Sequence, residues 1–182
     1  MSKRRGAFAV VVLAAILLPL AARGEGAAAA AARKQATEMY QAYVRGDLET
    51  FVGYMHPKIT EMMGGKDKAI ETIRKALAAS TAQGLTATKA TVAPVQQLVE
   101  VAPAKLQVVI PADVVMSGKD TEVHQRSFLL GFSSDGGKTW KFVDSGSGGG
   151  DTLRKILPEC SPSLKIPART KPEVIRRGTS AH

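Results

Sequence analysis

Up to Gly84 the chain is patterned for helices, and from Leu85 to Asp144 it is patterned for strands. Segregation of helices ahead of strands, rather than their alternation, argues against βαβ units and for the α+β class. The simplest arrangement is one curved antiparallel sheet with the helices packed in its concave face. A sheet of that shape tends to enclose a pocket.

The helical half divides at glycine and proline. Ala36, Met39, Tyr40 and Tyr43 recur at helical spacing in an alanine-rich stretch that begins at Gly26, and Gly46 ends it. Asp47 caps a short second helix, Leu48 to about Tyr54, which contains Thr50 and Phe51. His56-Pro57 breaks it, since proline disfavours helix at the preceding residue. Lys58 to Gly65, with Met62 and Met63, reads as a link, and a third helix runs from Lys66 to about Gln83.

In the strand half, Leu85–Val101 is rich in Thr and Val, and Pro94 predicts a bend or an edge. Every even position of Lys105–Met116 is apolar, whereas the odd positions mix polar residues with Val109 and Val115, as expected of a half-covered sheet. Glu122–Ser133 sets Phe128, Leu130 and Phe132 on one face, with His124 and Arg126 toward its polar end. A D-G hairpin turn leads into a last strand, Thr139–Asp144. Ser145–Gly150 is a hinge, Asp151 caps a short helix through Leu157, and a Pro-rich, basic tail follows from 158 to 182.

Charge and cysteine narrow the function classes. Of the formal net charge of +9, four charges fall within residues 1–24 and four from Lys165 onward, which leaves the body near neutral. A folded nucleic-acid interface needs basic residues clustered on one face, so none is expected. Lys3, Arg4 and Arg5 precede an apolar run from Ala7 to Leu18, and Ala22-Arg23-Gly24 offers small residues for cleavage. That is the pattern of a secretory signal peptide, in a run shorter than the roughly 20 residues of a spanning helix. Residues 1–24 are therefore expected to be removed, leaving one domain, 25–157, and the tail. The mature protein is expected to be periplasmic or secreted and not inserted in a membrane. The single cysteine, Cys160, rules out an internal disulfide.

No catalytic motif stands out. Ser133-Ser134-Asp135-Gly136-Gly137-Lys138-Thr139-Trp140 spells the Asp-box string S-x-D-x-G-x-T-W of sialidase-like propellers, but it occurs once and reads as a tight hairpin. The glycine run 146–150 lacks the G-K-[ST] ending of a phosphate-binding loop. His56, His124 and His182 form no metal-binding spacing, so no metal and no cofactor is expected.

Tyr40 to Phe51, a helix running into Gly46-Asp47-Leu48 and a second short helix, followed by a third helix and antiparallel strands, resembles the nuclear transport factor 2-like superfamily. That group includes ketosteroid isomerase-like and polyketide cyclase-like branches. Tyr54 to Ile59, followed by Gly64-Gly65-Lys66, also resembles exported members of unassigned function. The resemblance spans roughly 29–157. It implies a cone-shaped roll: a four-stranded curved antiparallel sheet against three N-terminal helices, with a short C-terminal helix and an extended tail. Isomerase chemistry in that group needs a carboxylate base after the second helix. Met63 stands near that place here, and Glu61 is the nearby carboxylate.

The resulting expectation is an exported, non-catalytic domain that binds a small apolar ligand or a protein partner in or around the cone pocket. Tyr40, Tyr43, Phe51, Tyr54, Met62, Met63, Phe128 and Trp140 would line it, with His56, Asp113, His124 or Arg126 at its mouth. Two alternatives stand beside it. One is an isomerase- or cyclase-like enzyme using Glu61 with Tyr40 or Tyr43. The other is a structural module that forms a homodimer through the outer sheet face at Val109 and Val115.

Overall fold

The computed structural model describes residues 26–147, 149–168 and 170–176, and the expected leader, 1–24, lies outside them. Helix α1 (Ala27–Arg45) carries six buried residues, among them Ala32, Ala36, Met39 and Tyr40. Gly46, at φ 73°, closes it: its N–H reaches the Tyr43 carbonyl at 3.0 Å, and the N–H of Asp47 reaches that of Ala42 at 2.9 Å. This is the Schellman pattern, which favours glycine. Asp47 then accepts from the Thr50 N–H at 3.2 Å and starts α2 (Leu48–Tyr54).

The stretch read as a link is instead a helix, α3 (Pro57–Met62). Pro57 occupies its first position, where the missing N–H costs nothing and the fixed φ suits the helix. His56 caps it, its Nδ1 accepting from the Lys58 N–H at 3.3 Å. The proline that ends one helix thus begins the next, so among the described residues four helices, not three, precede the sheet. The fourth is α4 (Lys66–Ala82).

Among the described residues the sheet has six strands rather than four. The long pair β3 (Lys105–Ser117) and β4 (Thr121–Ser133) is antiparallel from Leu106↔Ser133 to Ser117↔Glu122. Two strands share the outer edge of β3: β1 (Thr86–Val92) pairs with its second half and β2 (Gln97–Ala102) with its first. Pro94 lies in the crossing between them, so the expected single bent strand is two. Two more share the outer edge of β4: β5 (Lys141–Asp144) along 129–132 and, from the tail, β6 (Glu173–Arg176) along 121–124. A fifth helix, α5 (Gly150–Ile156), stands between them in sequence.

Both faces of the sheet are covered. On the helix side Ala36, Met39 and Tyr40 pack against Val108, Ile110, Leu129, Trp140 and Phe142. On the other side Val109, Phe128, Leu130 and Val143 lie beneath Leu153, Leu157, Cys160 and Leu164. Phe128, Leu130 and Phe132 share a face as expected, but it is the outer one, so Phe128 does not line a helix-side pocket: the register pairs Ile110 with Leu129 on the helix side and Val109 with Leu130 on the outer side. Phe128, Leu129 and Leu130 are all apolar and all buried, so alternation alone could not choose between the faces. The patch at Val109 and Val115 is likewise not exposed, since both residues are buried within the chain itself.

Burial ranks the C-terminal elements. Leu153, Leu157 and Leu164 are fully buried, each worth about 1.5–3 kcal/mol. All four residues of β6 are exposed. The segment through Leu164 is therefore bound by its side chains, and β6 by its backbone.

Candidate functional site

The centre of the helix side is filled. Tyr40 is buried, and its hydroxyl donates a short hydrogen bond to Asp144 Oδ2 while sharing another, at 3.2 Å, with Ser127 Oγ. Burial, and then the neighbouring Asp144 charge, push the Tyr40 phenol well above the usual tyrosine range. Asp144 Oδ1 also accepts from the Gly146 N–H at 2.6 Å. The phenol and the carboxylate thus answer each other inside the fold. Burial followed by Asp144 also raises Tyr43, whose ring lies 5.2 Å from that of Phe51.

Glu61 does not join this cluster. Its side chain is 69% exposed on α3 and lies 3.9 Å from the Lys58 ammonium. Met63 is half-buried where α3 meets the outer core and the α2–α4 packing, whereas Met62 is exposed. Phe128 is beneath the C-terminal segment. Asp113, His124 and Arg126 lie on the outer side too, at odd positions of β3 and even positions of β4. His124 Nδ1 is 3.0 Å from Asp113 Oδ2, and Arg126 reaches Glu173 at 2.9 Å. These residues do not form a mouth to the helix side.

Two of the expected residues, Tyr54 and Trp140, meet elsewhere. They line an open groove of about 680 Å³ between α1, α2 and the β4–β5 hairpin. Around them stand Lys34, Glu38, Lys138 and Lys141. Tyr54 donates to Glu38 Oε2 at 2.6 Å, and this bond, with burial adding to it, pushes the phenol up to about 12. Lys34 lies 3.8 Å from the other Glu38 oxygen, and Lys141 Nζ donates to the Gly53 carbonyl at 2.5 Å. Trp140 is 1% exposed, with its indole N–H donated to the Gly137 carbonyl at 2.9 Å.

The hairpin that forms one wall is rigid for reasons written in its sequence. Asp135 accepts from the N–H groups of Lys138 and Thr139, both at 3.0 Å, and from the Thr139 and Ser133 hydroxyls at 2.6 and 2.9 Å. Those bonds hold its carboxyl far below the usual range, the Thr139 hydroxyl first. Gln35 binds the hairpin to α1 with both ends of its amide, Nε2 to the Lys138 carbonyl at 2.8 Å and Oε1 from the Trp140 N–H at 2.9 Å. The Asp-box string is thus a hairpin clamp.

A smaller groove, about 350 Å³, holds His56, Phe132 and Glu159. It adjoins the first through Lys141, which lines both. Among the described residues no group of three or more His, Cys, Asp or Glu side chains is placed to hold a metal ion, and no helix is long and apolar enough to cross a membrane.

No family model matches the chain, and no curated protein matches it. Among solved structures, a domain of unknown function with a cystatin-like fold from Nostoc punctiforme is similar to it. The two share 12% identity over 76% of this chain and 90% of that one, with a TM-score of 0.44.

Proposed function

We propose that this protein is an exported, non-catalytic binding domain of the nuclear transport factor 2-like kind, and that its ligand sits in the groove beside α1. The observation that carries this reading is the lining of that 680 Å³ groove: three ammonium groups, Lys34, Lys138 and Lys141, around one carboxylate, Glu38. The excess positive charge suits an anionic headgroup, and the Tyr54 ring offers apolar surface beside it. A small amphipathic anion of the carboxylate type fits these features better than a wholly apolar molecule inside the cone, where Met39, Tyr40, Ile110 and Phe142 fill the space. The mutual pairing of Tyr40 with Asp144 and the outward position of Glu61 favour binding over proton-transfer chemistry. The order of elements supports the superfamily assignment, and the apolar run at 7–18 supports export.

Trp140 is the only tryptophan of the chain, so the groove carries its own reporter. Titration with decanoate should change its emission saturably, and decanol, with the same tail and no charge, should not. Replacing Lys34 and Lys138 together by alanine should weaken decanoate binding roughly tenfold, about the worth of two exposed charge-assisted contacts. Equal responses to decanoate and decanol, or no saturable response to either, would overturn this reading.

A further inference from the structure

Strand β6 is held in an unusual way. It pairs antiparallel with β4 from Thr121↔Arg176 to His124↔Glu173. Yet Val174 and Ile175, on opposite faces, remain 59% and 43% exposed. Its side chains thus add little burial to its backbone pairing, and two polar contacts with Arg126 accompany it. Glu173 meets the Arg126 guanidinium at 2.9 Å, and the Thr170 hydroxyl donates to the Arg126 carbonyl at 2.6 Å. An element secured by exposed backbone bonds and few apolar contacts opens readily. When β6 leaves, β4 presents unpaired N–H and C=O groups over 121–124, a template for another strand.

We propose that this half of β4 is a strand-acceptor site, occupied by the chain's own tail in the monomer and by the tail of a second copy in a strand-exchanged dimer. The occupant follows from the contacts. Backbone pairing, the Glu173–Arg126 ion pair and the Thr170 bond are all satisfied equally well by the same segment of another chain. The linker permits the exchange: from the buried Leu164 to Glu173 run residues 165–172, with a reach of about 26 Å when extended. Reciprocal exchange closes a two-fold dimer and leaves no acceptor unfilled. Monomer and dimer share the same contacts, so they differ mainly by the tether. Its effective concentration sets the dissociation constant near 1 mM in order of magnitude.

Charge reversal separates pairing within a chain from pairing between chains. Arg126→Glu alone, or Glu173→Arg alone, sets like charges together inside each molecule. Mixed, the two variants restore opposite charges only between molecules, and at both junctions. A gain of roughly five- to tenfold per junction should bring the mixed dimer's dissociation constant down to tens of micromolar. Sedimentation at about 100 µM, a concentration chosen from that tether estimate, should then find dimer in the mixture. Either variant alone should stay monomeric, as should the chain carrying both substitutions. A monomeric mixture overturns the proposal, and so does equal dimerisation of each variant alone. Should Arg126→Glu fail to fold beside Asp113, the unsubstituted chain and one ended at Pro172, before the exchanged strand, carry the test at millimolar concentration. There the unsubstituted chain must form dimer and the shortened one must not, and equal dimer fractions in the two overturn the proposal.

Discussion

His56 serves three neighbours at once. Its Nδ1 caps α3, its ring lies edge-on to Phe132 with centroids 4.9 Å apart, and its Nε2 stands 3.6 Å from Glu159 Oε1. The cap requires an unprotonated Nδ1, because a protonated nitrogen cannot accept from Lys58. The side chain is only 15% exposed, and burial lowers its pKa more than Glu159 and Glu61 raise it. The folded protein therefore binds this proton less readily than the unfolded chain, whose histidine titrates near 6.5. Stability from His56 is present above that value and falls as the pH drops through it toward the lower folded value. Melting temperatures should decline between about pH 7.5 and 5 on this account. His56→Asn keeps a capping acceptor but does not titrate, so it should flatten that decline. A variant with the same slope would place the titration elsewhere. Asp135 works in another window: its carboxyl is depressed, so the contribution of its turn bonds persists until far more acid conditions.

At the scale of elements, the β4–β5 hairpin meets the N-terminal turn of α1, and two adjacent glycines show how tightly. Gly136 and Gly137 both have positive φ, 77° and 88°. A Cβ on Gly136 would have nothing within 4 Å, whereas one on Gly137 would lie 2.5 Å from Ala28 Cβ. Gly136→Ala should therefore cost only the backbone strain, about 1 kcal/mol. Gly137→Ala must also push α1 away, at about 2–4 kcal/mol in total. Urea denaturation of the two variants checks the difference, and equal midpoints would mean that the hairpin and α1 are not in firm contact. The sequence made this hairpin legible because its string is local, and it made α1 and the long strands legible because their periodicities are. It concealed α3, since Pro57 is equally a breaker of one helix and a first residue of the next. It concealed the two-strand edge because Pro94 reads as a bend, and β6 because a Pro-rich tail carries little strand signal. The groove was half visible: Tyr54 and Trp140 stand out as aromatics, but Lys34, Glu38, Lys138 and Lys141 come from elements a hundred residues apart. Asp144 was recognisable as a strand residue, and nothing local linked it to Tyr40.

Over the whole molecule, one device joins the layers repeatedly: a glutamine side chain standing in for a peptide group. Gln35 joins α1 to the hairpin in this way. Gln107 donates to the Glu159 carbonyl at 2.7 Å and accepts from the Ser161 N–H at 2.8 Å, which lashes the C-terminal segment to the outer sheet face. Gln97 makes the same pair of bonds with Lys165, both at 2.8 Å, in an exposed setting. Gln107 itself is 3% exposed. Gln107→Ala strands the buried Ser161 N–H and the part-buried Glu159 carbonyl, which costs about 2–3 kcal/mol, whereas Gln97→Ala returns its partners to water at under about 1 kcal/mol. The chain holds a gauge of this difference in Cys160, its single cysteine, which lies in that segment with its side chain turned into the core and whose thiol burial pushes up. Labelling of that thiol under native conditions requires the segment to lift, so its rate follows the population of the lifted state. A loss of about 2 kcal/mol corresponds to roughly 30-fold faster labelling in Gln107→Ala, and Gln97→Ala should stay within a few-fold of the parent. Equal rates in the two variants would mean that the leucines of the segment, and not the Gln107 amide, decide when the outer layer opens.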